Sequence, residues 1–127
     1  MTSIFSKIIS GEIPGYKIYE DEYVCAILDI NPMQKGHTLV IPKQEVDYLF
    51  DLGEALFDKV MHRTRYIAQV IKAKTDCERV CVIVEGYAVP HAHIHLIPTN
   101  TPDDLDKTKV YKATEEELKH MCDLLTV

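Results

Sequence analysis

The stretch Val89-Pro90-His91-Ala92-His93-Ile94-His95-Leu96-Ile97-Pro98 decides how the chain reads. Side chains of an extended strand alternate between its two faces. His91, His93 and His95 would then share one face, with Ala92, Ile94 and Leu96 on the other. Half of the chain's 6 histidines fall within these five positions. A strand with one apolar face and a row of imidazoles on the other looks like the floor of a reaction site.

The flanking sequence supplies the rest of a sheet. Residues 79–85 form a β-branched strand, and Gly86-Tyr87 makes a tight connection into the histidine strand. Residues 16–19, 23–28 and 37–42 are strand-like, divided by the acidic turn Glu20-Asp21-Glu22 and a loop over 29–36. Residues 5–10 predict a short helix stopped by Gly11, before the turn Ile13-Pro14-Gly15. The long helix is predicted over 53–74. Leu56, Phe57, Val60, Met61, Ile67, Val70 and Ile71 keep its period, Thr64 interrupts their stripe, and Arg63 belongs to its charged face. A last helix starts from an N-cap at Thr114 and runs to about Leu125. The expected architecture is α+β, an antiparallel sheet of about five strands carrying a long helix and a C-terminal helix, as one domain over 1–127.

Charge and composition narrow the function. Lys+Arg total 14 against 20 for Asp+Glu. That balance disfavours tracking a long nucleic acid, which needs basic stripes, but leaves room for a small nucleotide. No stretch approaches a membrane span, and the opening residues lack the apolar core of a leader, so the cytoplasm is expected. Cys25, Cys77, Cys81 and Cys122 form no C-x-x-C pair and are expected to be free thiols.

The histidine row itself has three readings. It could be polar decoration of a solvent-facing strand. It could be a metal site, with Asp29 or Glu85 as a further ligand, although strand imidazoles diverge unless the strand twists strongly. It could be a nucleophilic site, where one neutral imidazole attacks phosphorus and its neighbours bond to phosphate oxygens. Alternate strand side chains lie ~6–7 Å apart. Two imidazolium charges at ~7 Å repel by about 2.4 kcal/mol at an effective dielectric of ~20. The row cannot be fully charged near neutral pH, and at least one ring is neutral and nucleophilic. His37, opening another strand, could sit beside the row and orient it.

The pattern His91-x-His93-x-His95 with apolar spacers resembles the histidine-triad (HIT) family of nucleotide-binding hydrolases and transferases. The resemblance extends through Ile4-Phe5-Ser6-Lys7-Ile8-Ile9-Ser10-Gly11-Glu12-Ile13-Pro14, Tyr19-Glu20-Asp21-Glu22, Leu28-Asp29-Ile30-Asn31-Pro32 and Gly36-His37-Thr38-Leu39-Val40-Ile41-Pro42-Lys43. It covers residues 4–98 and is closest to the Hint, or nucleoside phosphoramidase-like, branch. It implies His93 as the nucleophile and His95 as a contact to the α-phosphate. It also implies His91 and His37 as the network that orients the nucleophile. Asp29 matches the carboxylate that accepts from ribose hydroxyls, though it also suits a turn cap before Asn31-Pro32. Ile4, Phe5, Ile8, Ile27, Leu28 and Ile30 match the base pocket, and each equally suits plain core.

Two departures qualify these implications. Some members hold a structural zinc through two cysteines of the opening helix, a later histidine and the first triad histidine. Here those first three positions are Ser3, Ser6 and Glu45. Two neutral hydroxyls are poor zinc ligands, so no metal and no cofactor is expected. Members also carry Asn-x-Gly and a longer donor loop before the triad. This chain has Val84-Glu85-Gly86, then only Tyr87-Ala88-Val89-Pro90, and Ala88 stands where a Ser or Thr is common. That weighs against efficient protonation of an amine leaving group.

The expected function is hydrolysis or transfer at the α-phosphorus of a nucleoside phosphoramidate, an adenylylated amine or a dinucleoside polyphosphate. A covalent nucleotidyl-histidine would form and a nucleoside monophosphate would leave. The alternative is a purine-nucleotide-binding module with vestigial catalysis, acting through protein partners. The resemblance also implies a homodimer, for which the long helix and an edge strand could supply a self-complementary surface.

Overall fold

The computed structural model describes residues 2–127. Met1, where the segment read for a leader begins, lies outside the described residues. The elements run α1 (Ile4–Ile9), β1 (Lys17–Glu20), β2 (Val24–Leu28), β3 (Thr38–Pro42), α2 (Glu54–Thr75), β4 (Arg79–Ile83), β5 (Ile94–Thr99) and α3 (Glu115–Leu125). The five strands form one sheet in the order β1-β2-β3-β5-β4, and every neighbouring pair is antiparallel. The α+β expectation and its strand count hold.

The two faces of this sheet are buried by different helices. Val24, Ala26, Leu28, Val40, Ile94 and Leu96 pack with Val60, Ile67 and Ile71 of α2 and with Leu118, Met121 and Leu125 of α3. Cys25, Ile27, Leu39 and Ile41 on the opposite face pack under Phe5 and Ile8 of α1. All five residues of both β2 and β3 are therefore buried. A strand covered on both faces shows a continuous apolar run rather than alternation.

Local chemistry sets the ends of the helices. Ser3 caps α1 by accepting the Ser6 amide at 3.0 Å, and Gly11 follows its end at φ 86°. Gly53 is the N-cap of α2 rather than its first residue, and Asp76 closes α2 in the left-handed region, where its short polar side chain is tolerated. Thr114 caps α3 by accepting the Glu117 amide, as its sequence predicts. Thr64 does not break the α2 stripe. It is buried on it, with its hydroxyl donated to the Val60 carbonyl at 2.8 Å. Met61, predicted on the stripe, is among the exposed apolar residues. Arg63, predicted as solvated, instead reaches from α2 to Asp21 at 2.7 Å. Burial opposes ionisation of that carboxyl, but bonds from Tyr19, Val24, Tyr23 and Arg63 outweigh it and hold it at about 2.

The histidine stretch departs from a simple strand. Regular pairing begins only at Ile94, opposite Val40. Pro42 at the end of β3 has no N–H to extend the ladder. Its carbonyl is taken by the His91 ring instead, while the Ala92 amide turns to the Val46 carbonyl at 2.7 Å. β4 stops at Ile83, so the predicted tight connection is a loop over 84–93 in which Tyr87 is 93 % exposed. The alternation of faces survives. Ala92, Ile94 and Leu96 enter the α2 core, and His91 and His93 lie edge-on to Phe5 on the other side.

Candidate active site

α1, the β2–β3 loop and the 84–93 loop enclose a cleft of about 430 Å3 against the sheet. That falls within the ~300–1,000 Å3 typical of small-ligand sites. Ile4, Phe5, Ile8, Ile27, Leu28, Asp29, Ile30, His93 and His95 all line it, so nine of the eleven residues predicted for the site meet there. His91 and His37 stand behind this wall, each bonded to its fellow groups. The cleft also uses Ile13, Pro14, Gly15 and Tyr16 from the turn after α1, and Ala88 and Val89 from the loop before the triad. Sequence reasoning missed the first group because a turn carries no periodicity. Gly15 was the available signal, since a Cβ there would come within 2.6 Å of Ile8 Cγ2.

Phe5, Ile8, Ile27, Leu28 and Leu39 of the lining are buried, whereas Ile4 is 49 % and Ile30 55 % exposed. Large apolar side chains left half open on a small cleft offer themselves to a flat apolar group. Asp29 uses one carboxylate oxygen for the predicted turn cap and turns the other toward His37. Oδ1 accepts the Asn31 amide at 2.9 Å as a turn cap, and Oδ2 stands 3.7 Å from His37 Nε2. Burial raises the pKa of Asp29, against the lowering effect of the Asn31 amide and of His95 and His93.

The ring protons of the four histidines follow from their partners. Met33 donates its amide to His37 Nδ1 at 3.0 Å, so the proton of neutral His37 lies on Nε2. That nitrogen faces His95 Nδ1 at 2.9 Å, leaving His95 its own proton on Nε2. His93 Nδ1 lies 2.8 Å from the His91 carbonyl, which can only accept, so neutral His93 keeps a free lone pair on Nε2. His91 Nε2 likewise donates to the Pro42 carbonyl at 2.8 Å, and its Nδ1 accepts from the Ser3 hydroxyl at 2.6 Å. The His93 and His95 rings sit 5.0 Å apart. Burial pushes His37 and His95 each down to about 4; for His95, repulsion from His37 and His93 adds to it. Both rings are therefore neutral at pH 7.

Two groups test the metal reading. Asp29, His37 and His95 bring one donor atom each within 4.8 Å of one another. A metal on His37 Nε2 would displace its proton and turn Nδ1 into a donor against the Met33 amide. The group fits a hydrogen-bonded relay, not a metal. Ser3, Ser6, Glu45 and His91, the positions weighed for a structural zinc, also converge. Here Glu45 Oε1 accepts the Ser3 amide at 2.6 Å and the Ser6 hydroxyl at 2.7 Å, and these bonds hold its carboxyl at about 2. The His91 lone pair is already occupied by Ser3, so this set does not fit zinc either. Glu85, the other candidate ligand, is paired with Lys107 from the C-terminal segment.

A larger cleft of about 580 Å3 opens between the end of α2 and α3, but no histidine lines it. Fold and site together define a small α+β domain whose histidine relay backs a cleft of ligand size. The family model described as the HIT domain matches residues 10–101, and the chain belongs to the HIT family. It is 39 % identical over 100 residues to protein hit of Bacillus subtilis, covering 75 % of this chain and 69 % of that one. It is 36 % identical over 96 residues to an adenosine 5'-monophosphoramidase of Saccharomyces cerevisiae, covering 75 % and 61 %. The crystal structure of a Hit-like protein involved in cell-cycle regulation from Bartonella henselae superposes with a TM-score of 0.85 at 30 % identity, covering 98 % and 94 %.

Proposed function

We propose that this chain is a nucleotide hydrolase or transferase that works through a covalent nucleotidyl-histidine. The observation that carries this reading is the His93 ring, whose Nδ1 is tied to the His91 carbonyl while Nε2 stays free beside the cleft. A purine nucleotide of AMP type lies with its base between Ile4 and Ile30, against Phe5, Ile8, Ile27 and Leu28. Its ribose hydroxyls donate to Asp29 Oδ2. His93 Nε2 attacks the α-phosphorus. A P–N bond forms and the bond to the leaving group breaks, the leaving group keeping the electron pair and taking a proton from solvent. His95 Nε2–H bonds to an α-phosphate oxygen and offsets its developing charge. The His91 carbonyl, holding the Nδ1 proton, stabilises the cationic ring of the intermediate. Water then attacks phosphorus, the P–N bond breaks, and a nucleoside monophosphate leaves with His93 restored. No cofactor enters the scheme.

Trapping tests it. Acid-quenched mixtures of the protein with an adenosine phosphoramidate, an adenylylated amine or a diadenosine polyphosphate should contain a chain heavier by one adenylyl group, absent in His93→Ala. An unmodified wild-type chain with all three substrates would overturn the mechanism. That result would favour a nucleotide-binding module acting through partners. The apolar lining by Ala88 and Val89, where hydroxyl donors would serve a leaving group, is the observation on its side.

Three further readings belong to the same proposal. The chain acts as one HIT-like domain over 1–127. It works as a homodimer, a reading supported by the open edge of β4 and the exposed Val82 and Val84 beside it; light scattering reads its mass. It resides in the cytoplasm, consistent with four free cysteines and with no described helix long and apolar enough to cross a membrane.

A further inference from the structure

We propose that Ser3 is a positioning residue for the nucleophile: its hydroxyl, locked in place by Ser6 and Glu45, sets the ring tautomer of His91 and thereby steadies the carbonyl that aims His93. The inference rests on the reading of His93 as nucleophile.

The hydrogen-bond partners of the cluster fix where its protons lie. Glu45 Oε1 accepts both the Ser3 amide, at 2.6 Å, and the Ser6 hydroxyl, at 2.7 Å. The Ser6 proton is thereby spent, and the Ser6 amide points at Ser3 Oγ from 3.0 Å. Ser3 Oγ thus accepts from the Ser6 amide. Of the two acceptors within reach of its own proton, Ser6 Oγ at 3.3 Å and His91 Nδ1 at 2.6 Å, the nearer is the ring nitrogen, which needs a donor once Nε2 carries the ring proton. The opposite side of that ring gives its Nε2 proton to the Pro42 carbonyl at 2.8 Å. His91 is held at both ends, and its main-chain carbonyl in turn holds His93 Nδ1 at 2.8 Å.

Burial gives the Ser3 bond its weight. His91 is 0 % and Ser3 7 % exposed, so water cannot readily replace a lost hydroxyl. A buried imidazole without its Nδ1 donor can flip or change tautomer. It would then drop the Pro42 carbonyl and shift the backbone that carries the His93 anchor. Displacements of this kind next to a reacting atom lower turnover more than affinity. The restraint is built from two hydroxyls and one carboxylate, so the positioning of His91 should be indifferent to chelators.

The test compares wild type with S3A and S3T by imidazole 15N NMR and by steady-state turnover of an adenosine phosphoramidate. Wild type should show Nε2–H for His91 and Nδ1–H for His93. In S3A the His91 pattern should move toward a tautomer mixture. Its kcat should fall roughly 10-fold or more with KM within about twofold. S3T, which keeps the hydroxyl and the helix cap, should recover most of the rate. Folded S3A with unchanged His91 resonances overturns the proposal, as does unchanged kcat. Ser3 also caps α1. If S3A loosens the helix end, S3G takes its place, because glycine is well tolerated at an N-cap and carries no hydroxyl to donate. If wild type turns over no substrate, the functional reading falls, while the His91 and His93 resonances of S3A still decide the relay.

Discussion

The Met33 amide donates to Nδ1 of His37, and this one bond decides that His37 presents a proton, not a lone pair, to His95. A main-chain group outside the triad thereby orients a relay that ends at the His95 nitrogen facing the cleft.

Stability should follow the protonation of this pair. His37 and His95 titrate at about 4 in the folded protein, against ~6.5 in an unfolded chain. Between those values the unfolded state binds more protons, so stability is full above about pH 6.5 and falls as pH drops toward 4. The slope can reach about 1.4 kcal/mol per pH unit for each histidine. Urea midpoints measured from pH 7 to pH 4.5 should decline steadily, and H37Q should flatten the decline. A wild-type midpoint independent of pH over this range would contradict the assignment.

Asp29→Asn separates the two roles of that side chain. The amide oxygen keeps the cap on Asn31, so the melting temperature should change little. The charged acceptor toward a ribose is lost, at about 1.5 kcal/mol or more of binding, roughly tenfold in Kd. Calorimetry with AMP and with its dideoxy analogue checks this. The variant should bind both alike, whereas wild type should prefer AMP.

Ile4 and Ile30 flank the cleft half exposed, so replacing either with Ser removes apolar surface from the ligand and not from the core. Each substitution should weaken nucleotide binding by about 1 kcal/mol, roughly fivefold, at constant stability. A loss of stability equal to the loss of binding would mean that these residues serve the fold.

Ala88→Ser restores a hydroxyl to the cleft wall. Turnover of substrates with a poor amine leaving group should rise several-fold, by general acid assistance. Turnover of substrates with a phosphate leaving group should hardly move. A uniform change across both classes would place position 88 outside leaving-group chemistry.

Much of the fold was legible because burial is periodic. The stripe Val60-Ile67-Ile71 and the apolar runs of β2 and β3 announce a helix and strands before any packing is known. Thr64 and Arg63 misled because pattern reading scores a side chain by polarity. One satisfies its hydroxyl within its own helix, and the other finds Asp21 across a loop. The site residues were legible as types and spacings, helped by resemblance to a family. Ile13, Pro14 and Tyr16 were not, since a turn becomes a wall only when the chain folds back on α1.

The alternation His91-Ala92-His93-Ile94-His95 by itself determined that imidazoles face one way and core the other, because side-chain direction follows from backbone geometry alone. Which ring is a donor, which an acceptor and which keeps a free lone pair was decided only by tertiary structure. Each ring has two nitrogens and one proton, and that choice belongs to the partner brought against it: Met33 for His37, the Pro42 carbonyl and Ser3 for His91, the His91 carbonyl for His93. These partners lie from two to eighty-eight positions away along the chain, and the distant ones, Pro42 and Ser3, reach His91 only once the sheet has closed.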